Sequence, residues 1–183
     1  MKVLLIHSGN AVGGDSSKYT FVLEQGTALE WLGCIVEYYA IVGKGAKGYL
    51  QNVKSLRRKI QEYQPDIIHA HYGLCGMVAV LAARKEVPVV ITCHNGETLT
   101  WYGNIISSIA IRCADYTICV AQHIYDKLYL KPKHYCIQPC GIDLKDLPLV
   151  DKQKAMQEMG LPEDKVNILF GGSFTNARKN APL

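Results

Sequence analysis

The sequence has no long hydrophobic run and little net charge. In its 183 residues no apolar stretch approaches the roughly 18 residues that a membrane-spanning helix needs. Only the short run Val3–Ile6 follows Met1 and Lys2, without the cleavage pattern of a signal peptide. The 20 basic and 16 acidic side chains leave a net charge of +4, and 49% of the residues are hydrophobic. This composition excludes a disordered chain and predicts a globular, cytoplasmic protein.

Motifs for disulfide frameworks and metal sites are also missing. The seven cysteines are odd in number and lie mostly among apolar neighbours, which favours small buried side chains over disulfides. The sequence has neither a C-x-x-C pair nor H-E-x-x-H. His69 and His71 would share one face of a strand, but no third ligand has suitable spacing. We therefore expect packed or hydrogen-bonded histidines, and no metal or other cofactor.

Short β-branched runs alternate along the chain with segments of helical periodicity. Strand–helix alternation is typical of a parallel sheet covered by helices on both faces, so the predicted fold is an α/β, Rossmann-like doubly wound sheet. In such sheets ligands bind beyond the carboxyl ends of the strands. The predicted strands are Val3–Ile6, Ile35–Tyr39, Ile67–Ala70, Val89–Thr92, Tyr116–Val120, Tyr135–Gln138 and Val166–Phe170.

Two of the predicted strand ends carry candidate ligand-binding groups. Gly13 and Gly14 follow the first strand, where their backbone N–H groups could approach a phosphate or a sugar; a plain strand–helix connection is the alternative. Gly9 does not complete a G-x-G-x-x-G pattern with them, which argues against a dinucleotide site. His94 and Asn95 follow the strand that begins at Val89. His94 could bind a substrate hydroxyl or move a proton, or be satisfied by loop backbone.

One predicted helix, 48–63, lies in a basic stretch. Between Val42 and Ile60 six Lys and Arg residues occur without any Asp or Glu. A solvated helix face is the simplest interpretation, and contact with an anionic membrane surface is the next. Nucleic-acid binding is disfavoured because no recognised nucleic-acid motif is present and the net charge is modest.

Taken together, seven short segments in order resemble the retaining glycosyltransferases of family 4, the "glycosyl transferases group 1" class with two facing Rossmann-like domains (GT-B). They cover essentially the whole chain. They are the Gly13-Gly14 loop, Leu32-Gly-Cys-Ile-Val36, Pro65-Asp-Ile-Ile-His-Ala-His71, Pro88-Val-Val-Ile-Thr-Cys-His-Asn95, Ala114-Asp-Tyr-Thr-Ile-Cys-Val120, Gln138-Pro-Cys-Gly-Ile-Asp143, and Ile168-Leu-Phe-Gly-Gly-Ser-Phe174 through Lys179-Asn180.

The resemblance implies transfer of a sugar, with retention and without an essential metal, from a nucleoside-diphosphate sugar to a hydroxyl of an acceptor glycan or lipid. Synthesis of a cell-envelope polysaccharide or a glycolipid is the expected setting, at the inner face of the membrane if the basic helix contacts it. The resemblance implies that His94 is the catalytic residue that contacts the transferred sugar. It assigns donor and substrate binding to Gly13, Gly14, Asn95, Arg178 and Lys179.

The chain also departs from the family pattern. Ser173 stands where the second domain usually has Arg, Cys140 where an Asn precedes Gly-Ile-Asp, and Ala121 where a Ser is expected. The later Glu-x7-Glu donor motif has no counterpart. We therefore expect an acceptor-side domain over 1–160 and an incomplete nucleotide-sugar domain over 161–183, with little activity alone. A non-catalytic sugar- or lipid-binding Rossmann module is the alternative; a nicotinamide-dependent oxidoreductase is disfavoured by the broken glycine pattern.

Overall fold

Six parallel strands organise the first of two units into which the chain divides, Met1–Gly141 and Ile142–Leu183. The computed structural model describes residues 1–10, 20–98, 100–141, 150–162 and 164–170. The strands are β1 Lys2–Ser8, β2 Ile35–Ile41, β3 Ile67–His71, β4 Val89–Cys93, β5 Tyr116–Cys119 and β6 Tyr135–Ile137. The helices are α1 Thr20–Trp31, α2 Gly45–Leu50, α3 Asn52–Tyr63, α4 Gly73–Ala83, α5 Trp101–Cys113, α6 Gln122–Lys127 and, in the second unit, α7 Lys152–Glu158.

The strand order is β2-β1-β3-β4-β5-β6, and every pair is parallel. Side chains alternate across β1, so that Leu4 and Ile6 point into the larger core while Val3 and Leu5 point into the smaller one with Val22 of α1. The larger core also holds buried residues of α3, α4, α5 and α6. Both faces of the sheet are thus covered, which confirms the predicted doubly wound, Rossmann-like fold.

Small residues let α4 lie close to its neighbours at the start of the helix. A Cβ at Gly73 would lie 2.2 Å from the side chain of Ser107 in α5 and 2.9 Å from the Cα of that residue. A Cβ at Gly76 would lie 2.4 Å from Ile91 of β4. A larger side chain at Gly73 would require the backbone of α5 to move, and one at Gly76 would require the side chain of Ile91 to move. These close approaches bring the loop after β3 against the loop after β4, where the candidate site lies.

The predicted basic helix 48–63 is two helices, α2 and α3, and the prediction of a single helix was wrong. The side chain of Asn52, the first residue of α3, bonds out of the helix: its Nδ2 donates to the carbonyl of Val42 at 2.9 Å and to that of Gly48 at 2.8 Å, while its Oδ1 accepts from the Val42 N–H at 3.3 Å. Asn side chains commonly compete for backbone groups in this way. Here they fix the junction of the two helices on the end of β2.

The second unit contains α7, Lys152–Glu158. Asp151 caps this helix, because its Oδ1 accepts from the N–H groups of Gln153 and Lys154 at 3.0 and 3.2 Å. The strand predicted at Val166–Phe170 was wrong, because this segment carries no strand pairing. A strand needs a neighbour for its backbone groups, and apolar β-branched residues do not supply one by themselves. The predicted domain boundary near residue 160 stays a prediction.

Candidate active site

The strand order changes direction between β1 and β3. The second strand, β2, lies on one side of β1, and all later strands lie on the other side. In a doubly wound sheet this reversal opens a crevice at the carboxyl ends of the two central strands. Ser8 ends β1 and His71 ends β3 at that crevice, and His94 directly follows the next strand, β4. The candidate site is therefore at the edge of the sheet that the sequence analysis predicted.

Three imidazoles meet there in a stacked row. The ring centroids of His69 and His71 are 4.7 Å apart, and those of His71 and His94 are 5.3 Å apart. His71 Nδ1 lies 3.1 Å from His94 Nε2, and His69 Nε2 lies 2.7 Å from the hydroxyl of Thr92. His69 and His71 share one face of β3, as their spacing predicted. Within the described ranges, the Nε2 atom of buried His71 has no hydrogen-bond partner.

Aromatic rings enclose His94. The ring of Phe21, from α1, lies 4.6 Å from the His94 ring, and the ring of Tyr72 lies 5.0 Å from it. Tyr72 takes φ = 72°, which a bulky residue rarely adopts and which costs about 1–3 kcal/mol. Its backbone N–H donates to the carbonyl of Thr92 at 2.9 Å, which helps to hold this conformation. The fold thus keeps a strained residue against the candidate catalytic side chain.

Burial keeps all three imidazoles neutral. Desolvation lowers the pKa of His69 to about 4 and that of His94 to about 4. Desolvation, followed by the neighbouring histidines, lowers the pKa of His71 to about 2. At neutral pH each ring therefore has one N–H donor and one acceptor nitrogen. His94 can exchange hydrogen bonds with a hydroxyl group, but it does not bring a fixed positive charge.

A buried carboxylate ties together the loops after β3 and β4. Glu97 is only 3% exposed, and its Oε1 accepts from the Gly73 N–H at 3.0 Å while its Oε2 accepts from the His94 N–H at 3.1 Å. Burial raises the pKa of Glu97, and the backbone N–H donors partly offset that rise. Because Gly73 begins α4, the carboxylate also lies at the N-terminus of that helix, where negative charge is favoured. Glu97 therefore fixes the backbone from which His94 projects.

The second ring nitrogen of His94 faces a thiol. Cys140 Sγ lies 3.7 Å from His94 Nδ1, and this side chain is exposed. The next residue after His94, Asn95, has φ = 85°, so the left-handed residue in this loop is Asn95 and not Gly96. Asn tolerates that conformation better than most residues. The only departure from the family pattern that contacts His94 in the described chain is thus Cys140.

The predicted site residues divide into two groups. His94 and Asn95 lie at the carboxyl edge of the sheet. Gly13, Gly14, Arg178 and Lys179 lie outside the described residues. Among the residues whose positions the structure gives, no group of three or more His, Cys, Asp or Glu side chains could hold a metal ion.

Sequence reasoning missed Glu97, Tyr72 and Phe21. Glu97 follows His94 by three residues in a loop that leads to a helix, and that position is a detectable signal for a carboxylate that accepts from backbone N–H groups. The contacts of Phe21 and Tyr72 leave no such signal, because they depend on how α1 packs beside β3.

A family model and curated relatives both identify this sequence as similar to glycosyltransferases. The sequence matches Glycosyltransferase Family 4 over residues 17–146. The D-inositol 3-phosphate glycosyltransferase of Geodermatophilus obscurus is 28% identical over 135 residues, which are 63% of this chain and 30% of that protein. The chain thus spans about 30% of the length of the curated relatives it matches.

Solved structures share the fold. Sucrose-phosphate synthase from Thermosynechococcus elongatus superposes with a TM-score of 0.66 at 15% identity, covering 89% of this chain and 53% of that one. Anabaena HepE, solved in complex with UDP-glucose, superposes with a TM-score of 0.59 at 18% identity, covering 87% of this chain and 50% of that one. At such identities the likeness shows the Rossmann-like fold of one half of these proteins.

Glu97→Gln is expected to destabilise the first unit by about 1–3 kcal/mol, because the amide nitrogen of Gln cannot accept from a backbone N–H and leaves one donor unpaired. At roughly 2–4 °C per kcal/mol, thermal unfolding should show a clear fall in Tm. Glu86→Gln is the matched control, since Glu86 is exposed. An equal Tm for the Glu97 and Glu86 variants would contradict the role given to Glu97.

Protein stability is expected to fall as the pH drops below about 6.5, because the unfolded chain then binds a proton at His69 that the folded chain excludes until about pH 4. His69→Gln keeps a side-chain partner for Thr92 and removes this titration. Between about pH 4.5 and 6 the unfolding free energy of the variant should depend less steeply on pH than that of the wild type. The difference in slope should be up to about 1.4 kcal/mol per pH unit. Denaturant unfolding at several pH values measures that slope.

The control is His123→Gln, which removes an exposed histidine. Any change that it causes in the slope of unfolding free energy against pH is the effect of losing a histidine that is not buried. If the His69 variant keeps the wild-type slope, the neutral buried imidazole inferred for His69 is wrong.

Proposed function

Because the chain belongs to Glycosyltransferase Family 4, we propose that it forms the acceptor-side domain of a retaining glycosyltransferase. The reaction moves a sugar from a nucleoside-diphosphate sugar to a hydroxyl of an acceptor glycan or lipid, in the synthesis of a cell-envelope polysaccharide or a glycolipid. The observation that carries this proposal is the neutral His94 imidazole, enclosed by aromatic rings at the crevice of the sheet. Aromatic faces and neutral hydrogen-bonding groups suit an uncharged sugar ring.

His94 has one ring nitrogen committed to the protein and one available for exchange. The 3.1 Å contact between His94 Nε2 and His71 Nδ1 holds the ring in place. The contact of His94 Nδ1 with the Cys140 thiol is longer, at 3.7 Å, and involves a weak sulfur group. A sugar hydroxyl can replace the thiol at Nδ1 at small cost. His71 acts as a positioning residue in this arrangement, and His94 as the group that touches the transferred sugar.

The charge of the donor diphosphate needs partners other than these imidazoles. We assign that role to backbone N–H groups of Gly13 and Gly14 and to the cations Arg178 and Lys179, which the resemblance to the family supports. Fixed positive charge and oriented N–H groups stabilise a departing diphosphate electrostatically. The proposed reaction uses no cofactor, and no essential metal. Asn95 binds substrate next to His94.

The 183 residues by themselves are proposed to turn over little or no donor sugar. The family resemblance places further donor-binding carboxylates in a Glu-x7-Glu motif that this sequence does not contain. The alternative of a non-catalytic sugar-binding module keeps the same site but lacks transfer. Transfer assays on the protein that carries this chain together with a donor-binding domain, with UDP- and GDP-sugars as donors, distinguish the two.

In that assay His94→Ala is expected to lower kcat/KM by about ten- to a hundredfold, since one hydrogen bond to the reacting sugar is worth about 1–3 kcal/mol. Tm should fall only modestly, because buried His71 Nδ1 loses its partner while the backbone N–H of residue 94 stays bonded to Glu97. Kinetics and thermal unfolding on the same preparations measure both effects.

His134→Ala is the matched control. His134 is an exposed histidine that directly precedes β6, so it lies at the amino ends of the strands, whereas His94 lies at their carboxyl ends. Normal turnover per folded molecule with a large loss of Tm in the His94 variant would make His94 structural and overturn its catalytic role.

We also propose that the exposed cations of α2 and α3 contact an anionic membrane surface. Two cations of the basic stretch already have partners inside the protein: Arg57 donates to the carbonyls of Leu81 and Ala82 at the end of α4, and Lys59 pairs with Glu37 of β2. Of the other four, Lys44 precedes α2, and Lys47, Lys54 and Arg58 lie on the two helices; all four are exposed and can reach lipid headgroups. Within the described ranges no helix is long and apolar enough to cross a membrane.

Changing Lys47, Lys54 and Arg58 together to Glu should therefore reduce co-sedimentation with phosphatidylglycerol vesicles, and salt should weaken the wild-type binding. Charge reversal at Lys152, Lys154 and Lys165, which are exposed in the second unit, controls for net charge. Equal vesicle binding by the two triple variants would leave the basic face as a solvated surface.

A further inference from the structure

Three exposed cations line an open cavity at the amino ends of the strands, on the side of the sheet opposite to the candidate active site. The cavity has a volume of about 360 Å³ and is lined by Lys85, Arg112, Cys113 and Lys133. Lys85 precedes β4, Arg112 and Cys113 precede β5, and Lys133 precedes β6. Because all these strands are parallel, the cavity lies at their amino ends, whereas His71 and His94 lie at the carboxyl ends.

The cavity cations form no ion pair in the described part of the chain. In the part of the chain that the structure describes, the ion pairs are Lys59 with Glu37 and Lys154 with Glu158, so none of the three cavity cations is paired. The nearest acid in sequence to Arg112, Asp115, accepts from the Val89 N–H through its Oδ2 at 2.8 Å and forms no ion pair with the cavity cations. Three cations that line one pocket without an ion-pair partner repel one another, and an anion bound between them reduces that repulsion.

Favourable interaction with helix C-termini explains only two of the three cavity cations. Arg112 is in the last turn of α5 and Lys85 follows α4, where cations are favoured by the helix dipole. Lys133 has no helix terminus of that kind before β6. In addition, Arg84 and Lys85 take φ values of 51° and 64°, an uncommon conformation for two consecutive residues with side chains. The backbone thus turns Lys85 toward the same cavity as the other two cations.

We propose that this cavity binds an anionic phosphate group, at a site separate from the sugar-transfer site. The planar guanidinium of Arg112 can donate two parallel hydrogen bonds to phosphate oxygens, and the two ammonium groups supply the remaining charge. The volume is at the small end of ligand pockets, which suits a small organic phosphate or a single headgroup. The site does not depend on the proposed glycosyltransferase activity.

The phosphate can be free or carried by a lipid. The outer face of α5 leads to the cavity with exposed apolar residues, since Trp101 is 69% and Ile109 42% exposed and Arg112 continues the same face. This face could lie against lipid while the cavity holds the headgroup. The experiment therefore compares a soluble phosphate with a lipid surface.

Cys113 reports occupation of the cavity directly. The chain is alkylated with N-ethylmaleimide, a neutral reagent, and the rates at Cys113 and Cys140 are read separately by peptide mass spectrometry. Both cysteines are exposed, but Cys140 contacts His94 at the opposite edge of the sheet. Inorganic pyrophosphate, or vesicles of phosphatidylcholine with and without phosphatidylglycerol, are added before the reagent. The proposal expects saturable protection of Cys113, with Cys140 unchanged.

The variant for this test carries Lys85→Gln, Arg112→Gln and Lys133→Gln. Its half-protecting concentration of pyrophosphate should rise about tenfold or more, because charge-assisted hydrogen bonds are lost. A chain with Lys152→Gln, Lys154→Gln and Lys165→Gln loses the same net charge from exposed lysines of the second unit and should keep wild-type protection.

Protection by pyrophosphate supports a free phosphate as the ligand, and protection by phosphatidylglycerol vesicles alone supports a lipid headgroup. The proposal is overturned if neither probe protects Cys113, if Cys140 is protected equally, or if the two triple variants behave alike.

Discussion

The contact on which the candidate site depends is the one between the buried Glu97 carboxylate and two backbone N–H groups. One of these groups belongs to Gly73 at the start of α4 and the other to His94 after β4. A carboxylate is costly to bury, as the raised pKa of Glu97 reflects, and two backbone donors offset much of that cost. Since neighbouring strands bring these loops together, one side chain can fix both. His94 is thereby held by its backbone as well as by its ring.

The neutral imidazoles and the strained backbone of Tyr72 are both connected with the burial of the candidate site. The row of three imidazoles is packed between β3, β4 and the aromatic ring of Phe21, and desolvation lowers each pKa. A row of charged imidazoles would repel itself, so neutrality is also what permits the close stacking. The strained backbone of Tyr72 belongs to the same arrangement, because its ring covers His94. Strain of this kind persists only where surrounding contacts determine it.

Much of the fold could be predicted from local patterns, whereas most contacts of the site could not. Strand and helix periodicity predicted the parallel sheet, and the carboxyl-end rule predicted that a ligand site lies after the strand ends, where His94 is found. The break between α2 and α3 depends on where the Asn52 amide finds partners, at Val42 and Gly48, and no periodicity encodes that. The strand expected at Val166–Phe170 failed for a related reason, because strand formation needs a neighbouring strand. The contact between His94 and Cys140 likewise joins segments far apart in sequence.

The two edges of the sheet differ in charge, and this difference constrains the proposed chemistry. The described residues that contact His94 are rings, a thiol and a carboxylate, and none is a Lys or Arg. Neutral groups can orient an uncharged sugar, but they cannot balance a departing diphosphate. If the chain acts as proposed, the first unit supplies shape and hydrogen bonds, and the cations Arg178 and Lys179 supply the charge. Hydrogen bonds to the sugar and positive charge for the leaving group then belong to different parts of the chain.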